Sequence, residues 1–284
     1  MGGSVSQITG VFSTPAARNP ISAMMEAGYS ALGYNVHFLN CDVAPLRLLD
    51  AINGARATGW LGFMVGDPHK RAVVTHLDGL AESAAVIGAA TCAARRGDAF
   101  IGENTEGWAV IETLEDHLDL DGSRAVVLGA GQAARAVVVE LARAGAAHIT
   151  IVNRTGLHAY RMASLLAGME GLTSEVVEWS DTYRLPPTTD VVVNATRIGA
   201  PGEAEDRPDL DPESLHSSMV VVDMALSVTP TQLVKEARSG GCPAIDGLDV
   251  LVAQGMLAIR LWTNADADAT VMREALVPAL ARLT

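Results

Sequence analysis

Cysteine is scarce: Cys41, Cys92 and Cys242 are the only three in 284 residues, and no two of them form a C-x-x-C pair. That usage excludes a disulfide framework and a thiolate metal site, and it predicts a reducing, cytoplasmic setting. Positive charge is short as well. Twenty Lys and Arg stand against 33 Asp and Glu, a net charge of −13, which is the wrong balance for a surface that tracks phosphates, so no nucleic-acid partner is expected. Long apolar runs are missing too. None reaches the roughly 18 to 20 residues of a membrane helix, and Met1 to Gly10 has neither the basic nor the apolar region of a secretory leader. Neither a membrane nor secretion is expected. The histidines are scattered without an H-x-H or H-x-x-x-H pair, so no metal is expected either.

Apolar residues make up 49% of the chain and charged ones 19%, enough for one large or two modest globular domains. Ile8 to Phe12 reads as a strand, followed by a proline-containing loop and a helix through Met24, Met25, Tyr29 and Leu32 that Gly33 closes. Asn35 to Leu39 reads as a second strand, Val43 to Gly54 as a helix with Leu46, Leu48, Leu49 and Ile52 on its buried side, and Leu61 to Val65 as a third strand. Gly66-Asp67-Pro68-His69-Lys70 then makes a turn that no regular element crosses, with a helix beyond it carrying Val73, Val74 and Leu77. After a helix from Gly107 to Leu118, the polar stretch Asp119 to Gly122 reads as a linker. Strands at Arg124 to Leu128 and His148 to Val152 flank an alanine-rich helix, Gln132 to Arg143, and the unit has the roughly 30-residue length of a βαβ crossover. Further strands are expected at Val191 to Val193 and Met219 to Val222, a helix at Pro230 to Ser239, a solvated acidic loop at Pro201 to Pro212, and two amphipathic helices at Val250 to Trp262 and Asp266 to Leu283.

Gly129-Ala130-Gly131-Gln132-Ala133-Ala134 has the G-x-G-x-x-A form between a strand and a helix. The first glycine permits the tight turn, and the second lets the backbone approach a pyrophosphate. The last small residue lets helix and strand pack closely, with the helix N-terminus aimed at the anion. At the end of the next strand an acid would accept a hydrogen bond from a free ribose 2′-hydroxyl. The chain has Asn153-Arg154-Thr155 there instead, a guanidinium with two short polar groups that suits a 2′-phosphate, so NADP is expected over NAD.

Several motifs then fall in one order: Val65-Gly66-Asp67-Pro68-His69-Lys70, Ile87 to Cys92, Asn104-Thr105-Glu106-Gly107, Gly129 to Ala136, Asn153-Arg154-Thr155, Asn194-Ala195-Thr196-Arg197-Ile198-Gly199, and Asp246 to Gln254. In that order they resemble the shikimate dehydrogenase family over nearly the whole chain. The resemblance implies an α/β protein with an N-terminal substrate domain, residues 1–106 completed by 247–284, and a Rossmann-type NADP-binding domain, residues 107–246, with the final helices packing back on the first domain and catalysis in the cleft. It places the catalytic lysine on Lys70 and its partner carboxylate, an aspartate in the family, on Glu106. Hydride reduction of a ketone leaves an alkoxide that needs a proton, and an ammonium held by a carboxylate supplies it. The resemblance assigns substrate contacts to Gln254, Thr91 and Asn104, and it puts Thr196, Met224 and Gly247 with the cofactor glycines.

The departures are as informative. The family's S-x-S-P segment, whose hydroxyls bind a substrate carboxylate, has no counterpart in Val11 to Ser22. If Pro20 is the anchor, Ala17 and Asn19 stand for the serines, while Ser13, Ser22 or Arg18 remain as groups that reach the substrate from another direction. The family threonine becomes Gly66, its asparagine becomes Thr91, and a tyrosine becomes Leu226. The reading is an NADP-dependent alcohol dehydrogenase or ketone reductase for a small, cyclic, hydroxylated substrate, acting poorly on shikimate, in a monomer or homodimer. Two alternatives stay open: a shikimate or quinate dehydrogenase with a rearranged carboxylate site, through Arg18, and a non-catalytic NADP-binding sensor.

Overall fold

The computed structural model describes residues 6–203 and 206–283. In chain order the elements begin with β1 (Gln7–Ser13), α1 (Ile21–Ala31), β2 (Val36–Asp42), α2 (Leu48–Ala57), β3 (Gly62–Val65), β4 (Gly79–Leu80), α3 (Glu82–Ile87), β5 (Cys92–Arg96), β6 (Ala99–Glu103) and α4 (Thr105–Glu115). They continue with β7 (Arg124–Leu128), α5 (Gln132–Arg143), β8 (His148–Asn153), α6 (Gly156–Ala163), β9 (Thr173–Glu178), β10 (Val191–Asn194), β11 (Val220–Asp223), α7 (Gln232–Ser239), β12 (Ala244–Ile245), α8 (Gly247–Thr263) and α9 (Ala269–Ala281). Two compact units result: residues through Thr105 together with those from Val252 onward, and Glu106–Leu251.

The first unit holds a mixed sheet in the order β2-β1-β3-β5-β6-β4. Strands β1, β2 and β3 run parallel, and β5 and β6 form an antiparallel hairpin. Its core is the chain's aromatic store: Phe12 stacks on Phe63 at 4.6 Å between ring centres, and Phe63 meets Phe100 edge-on at 5.0 Å. Two expectations fail here. Leu46 and Leu49 are 97% and 46% exposed, because Pro45–Arg47 forms a separate 3-10 turn and the α-helix starts only at Leu48. The 3.6-residue period counted from Leu48 buries Leu48, Ile52 and Ala55 instead. The segment after Lys70 is likewise a 3-10 helix, Ala72–His76, which buries Val73 alone.

The second unit is an all-parallel sheet in the order β12-β11-β10-β7-β8-β9. Counted along the chain this is the doubly wound order of a dinucleotide-binding fold, with its switch point between β7 and β10. The central strands are buried on both faces, which explains why Val191–Asn194 and Val220–Asp223 read as unbroken apolar runs.

Candidate functional site

Ligands of open parallel sheets bind beyond the carboxyl ends of the strands at the switch point, and two of the sequence motifs meet there. Asn194 at the end of β10 pairs in register with Leu128 at the end of β7. The next residue, Gly129, has φ +105°, and a Cβ on it would stand 2.9 Å from Thr196 Cγ2. Only glycine makes that corner against the Thr196 loop. Gly131 is different: it precedes α5 in an extended conformation, and a Cβ on it would meet nothing within 4 Å. No protein atom demands that glycine. The open space above it is what a pyrophosphate approaching the first-turn amides of α5 requires, and no acid stands in that turn. Ala130, Gln132 and Ala133 are half-buried around the opening, whereas Ala134 and Ala136 are fully buried against the sheet. The residues fit a bound dinucleotide.

The Thr196 loop is held by Asn194, the first residue of its own motif, and by Asp223, which lies outside that motif. Asn194 Oδ1 accepts from the Thr196 amide at 3.1 Å and from its hydroxyl at 2.6 Å, and Asn194 Nδ2 donates to Asp223 Oδ1 at 2.8 Å and to the Ile198 carbonyl at 3.1 Å. Asp223, 1% exposed, also accepts from the Thr231 hydroxyl at 2.5 Å and the Ala225 amide at 3.1 Å. Burial outweighs these bonds and pushes its carboxyl above the usual range. Met224 is half-buried beside it, and its amide donates to the Asn194 carbonyl at 3.0 Å. Gly247 opens α8 against this backbone, where a Cβ would lie 2.6 Å from the Ala225 carbonyl.

At the end of β8, Asn153 Nδ2 donates to the Thr155 carbonyl at 2.9 Å and closes the turn. Arg154 is exposed and lines a surface cavity of about 570 Å³ together with Trp179, Arg207 and the carboxylates of Asp181, Asp206 and Asp209. Thr155 precedes α6 but gives it no side-chain cap.

In the first unit, the Gly66–Lys70 turn is anchored by a buried histidine. His69, 1% exposed, lies with Nε2 2.7 Å from the Val43 carbonyl, so that nitrogen carries the proton and the ring is a positioning group for its neighbour Lys70. The Lys70 carbonyl accepts from the Ala90 amide at 2.9 Å. Thr91 follows Ala90; its hydroxyl oxygen accepts from the Thr105 amide at 2.8 Å and lies 3.0 Å from the Thr105 hydroxyl. Asn104, 2% exposed, donates to the Ala89 carbonyl at 3.2 Å. Lys70, Thr91 and Asn104 therefore meet at one backbone junction. Gln254 belongs to the same unit, half-buried on α8.

The segment standing for S-x-S-P is committed locally. Asn19 Oδ1 accepts from the Ile21 amide at 3.1 Å, Ala17 is exposed, and Ser22 is half-buried. The Arg18 side chain lies outside the described residues. Ser13 ends β1, where its buried hydroxyl has no hydrogen-bond partner among the described residues and its Cβ lies 2.8 Å from the place a Cβ on Gly66 would take. Glu106 sits half-buried in the first turn of α4, in the second unit. At the next residue α4 crosses α5 so closely that a Cβ on Gly107 would stand 2.4 Å from the Ala136 carbonyl.

Family models agree with these landmarks. Residues 12–92 match the shikimate dehydrogenase substrate binding domain, 112–248 the shikimate/quinate 5-dehydrogenase model, and 247–277 the shikimate 5′-dehydrogenase C-terminal domain. The chain belongs to the shikimate dehydrogenase family. It is an oxidoreductase with a Rossmann-type nucleotide-binding unit. The shikimate dehydrogenase (NADP(+)) of Symbiobacterium thermophilum is 37% identical over 96% of this chain and 95% of that protein. Among solved structures, a ligand-free 5-ketofructose reductase of Gluconobacter sp. strain CHM43 is 44% identical, with a TM-score of 0.93 over 96% of this chain and 99% of that one. A shikimate dehydrogenase in complex with NADP+ is 30% identical, with a TM-score of 0.86 over 97% of this chain and 96% of that one. Among the described residues no helix is long and apolar enough to cross a membrane.

Proposed function

We propose that this protein is an NADP-dependent reductase of a small, uncharged, polyhydroxylated ketone, cyclic when bound, and that shikimate is a poor substrate. The observation that carries the reading is the S-x-S-P counterpart: with Pro20 as anchor, Ala17 and Asn19 stand for the two serines, and Asn19 Oδ1 is taken up by the Ile21 amide at 3.1 Å. A ring carboxylate entering a desolvated site needs donors, and each unmet polar group costs roughly 1 to 3 kcal/mol. Likeness to a 5-ketofructose reductase supports a substrate without that carboxylate.

In this reading residues 1–106 with 247–284 handle the substrate and 107–246 the cofactor. Gly129 to Ala134 cradle the pyrophosphate, Asn153, Arg154 and Thr155 take the 2′-phosphate, and Thr196, Met224 and Gly247 border the nicotinamide. The nicotinamide, when bound, supplies the hydride. Lys70 gives a proton to the alkoxide oxygen that forms on the substrate, and Glu106 supplies the carboxylate that favours its ammonium. Thr91, Asn104, Gln254 and Arg18 orient the hydroxyls. One ketone, one NADPH and one proton give one alcohol and one NADP+.

A second reading, shikimate or quinate oxidation through a rearranged carboxylate site, is favoured by the shikimate/quinate 5-dehydrogenase match over residues 112–248. Steady-state kinetics separates the two. We expect NADPH-dependent reduction of 5-ketofructose or a related neutral polyhydroxy ketone, and a kcat/KM for shikimate and quinate at least about 10³-fold lower. Oxidation of shikimate at an ordinary enzyme efficiency of about 10⁴ M⁻¹s⁻¹ or above refutes the proposal in favour of the second reading.

A further inference from the structure

A carboxylate stands where the 2′-phosphate is expected. Glu178 is the last residue of β9 and pairs in register with Asn153, so strand geometry alone sets it beside the Asn153-Arg154-Thr155 turn. The next amide, that of Trp179, donates to the Asn153 carbonyl at 3.1 Å and pins the two strand ends together. A Cβ on Gly156 would lie 3.4 Å from Glu178 Oε2, which places the carboxylate over the first residue of α6. That helix has no side-chain cap from Thr155 and no acid in its own first turn, and its N-terminal amides attract negative charge. At the α5 cradle, by contrast, a Cβ on Gly131 would meet no atom of the described residues within 4 Å.

We propose that Glu178 is an internal competitor for the anion seat at the start of α6, weakening the 2′-phosphate and so limiting the preference for NADPH over NADH. The inference rests on the assignment of Asn153, Arg154 and Thr155 to that phosphate. Glu178 is exposed and acts through solvent, so its effect is modest and fades with added salt. Arg154 attracts the phosphate while Glu178 opposes it, against the background of Arg207, Asp181, Asp206 and Asp209 around the same cavity, so the two act in opposite directions on the net selectivity.

The test is calorimetric titration of the full chain with NADPH and with NADH, for the wild type, Glu178→Gln, Glu178→Lys and Arg154→Ala. Glu178→Gln is expected to bind NADPH about three- to fivefold more tightly with NADH unchanged, Glu178→Lys more tightly still, and both gains shrink at high salt. Unchanged or weaker NADPH binding in Glu178→Gln overturns the inference, and so does an equal gain for NADH. Arg154→Ala reads the underlying assignment separately. If it weakens NADPH by about tenfold while Glu178→Gln changes nothing, the phosphate site stands and the competitor falls. If Glu178→Gln tightens NADPH while Arg154→Ala is silent, the competitor stands and Arg154 loses its role.

Discussion

Ser13 is buried with a hydroxyl that has no hydrogen-bond partner among the described residues, at the end of β1 beside Gly66. A buried polar group left unpaired costs roughly 1 to 3 kcal/mol, and removing it along with its need for a partner is neutral or stabilising. Ser13→Ala is therefore expected to melt at the same temperature as the wild type or higher. Gly66→Ala is expected to lose about 1 to 3 kcal/mol, the usual cost of overpacking, because its Cβ would lie 2.8 Å from the Ser13 Cβ. Ser13→Gly in the same chain restores the loss. Denaturant melts of the four proteins decide, and additive losses in the double variant contradict the shared space. Gly66 was visible as a departure from the family pattern and Ser13 as a candidate substrate group, but their contact was not, since it joins positions 53 places apart and no periodicity reports it.

At the scale of elements, the sequence was most informative where chemistry or burial is extreme. The parallel strands of the second unit are apolar on both faces and stand out as valine runs, and the glycines of the cradle mark their turn directly. The β5–β6 hairpin escaped notice because its strands carry Arg95, Arg96 and Glu103, although Gly97-Asp98 between them is a turn signal. Strand β9 escaped as well: it lies at a sheet edge, mostly exposed, with no apolar alternation to betray it. The bonding of Asn194 to Asp223 was hidden for the reason that hid Ser13 and Gly66, a separation of 29 residues. That pair ties the ends of β10 and β11 and carries a pH signature. The folded state raises the Asp223 pKa above the ordinary 3.8, so across the interval above 3.8 it holds more protons than the unfolded chain. Stability from this group is full below that value and is lost as pH rises through the folded pKa. Asp223→Asn imitates the protonated form, with its amide donating to Thr231. The difference in melting temperature, variant minus wild type, should grow as pH is raised from about 4 through the weakly acidic range. A difference that stays flat with pH contradicts the assignment.

The whole molecule folds as two units, each with its own sheet and core, and the proposed function divides its labour between them. The seven ordered motifs made the family legible, whereas the unit boundary falls between Leu251 and Val252 inside one continuous helix, α8, where no turn residue announces it. Lys70 belongs to the first unit, on a turn fixed by the buried His69 and the Ala90 amide. The cradle of Gly129 and Gly131 and the Asn153-Arg154-Thr155 turn belong to the second. Lys70→Ala therefore removes the proposed proton donor without touching any residue assigned to the cofactor. Turnover of the true substrate should fall by about 10² to 10⁴, the usual contribution of a general acid, while NADPH affinity measured by titration stays within about twofold of wild type, less than 0.5 kcal/mol. The two readings together separate the possible errors. Near-normal turnover means that the proton comes from another group or from water. A large loss of NADPH affinity with the loss of turnover means that Lys70 serves binding, and that the chemistry and the cofactor are not held by separate units.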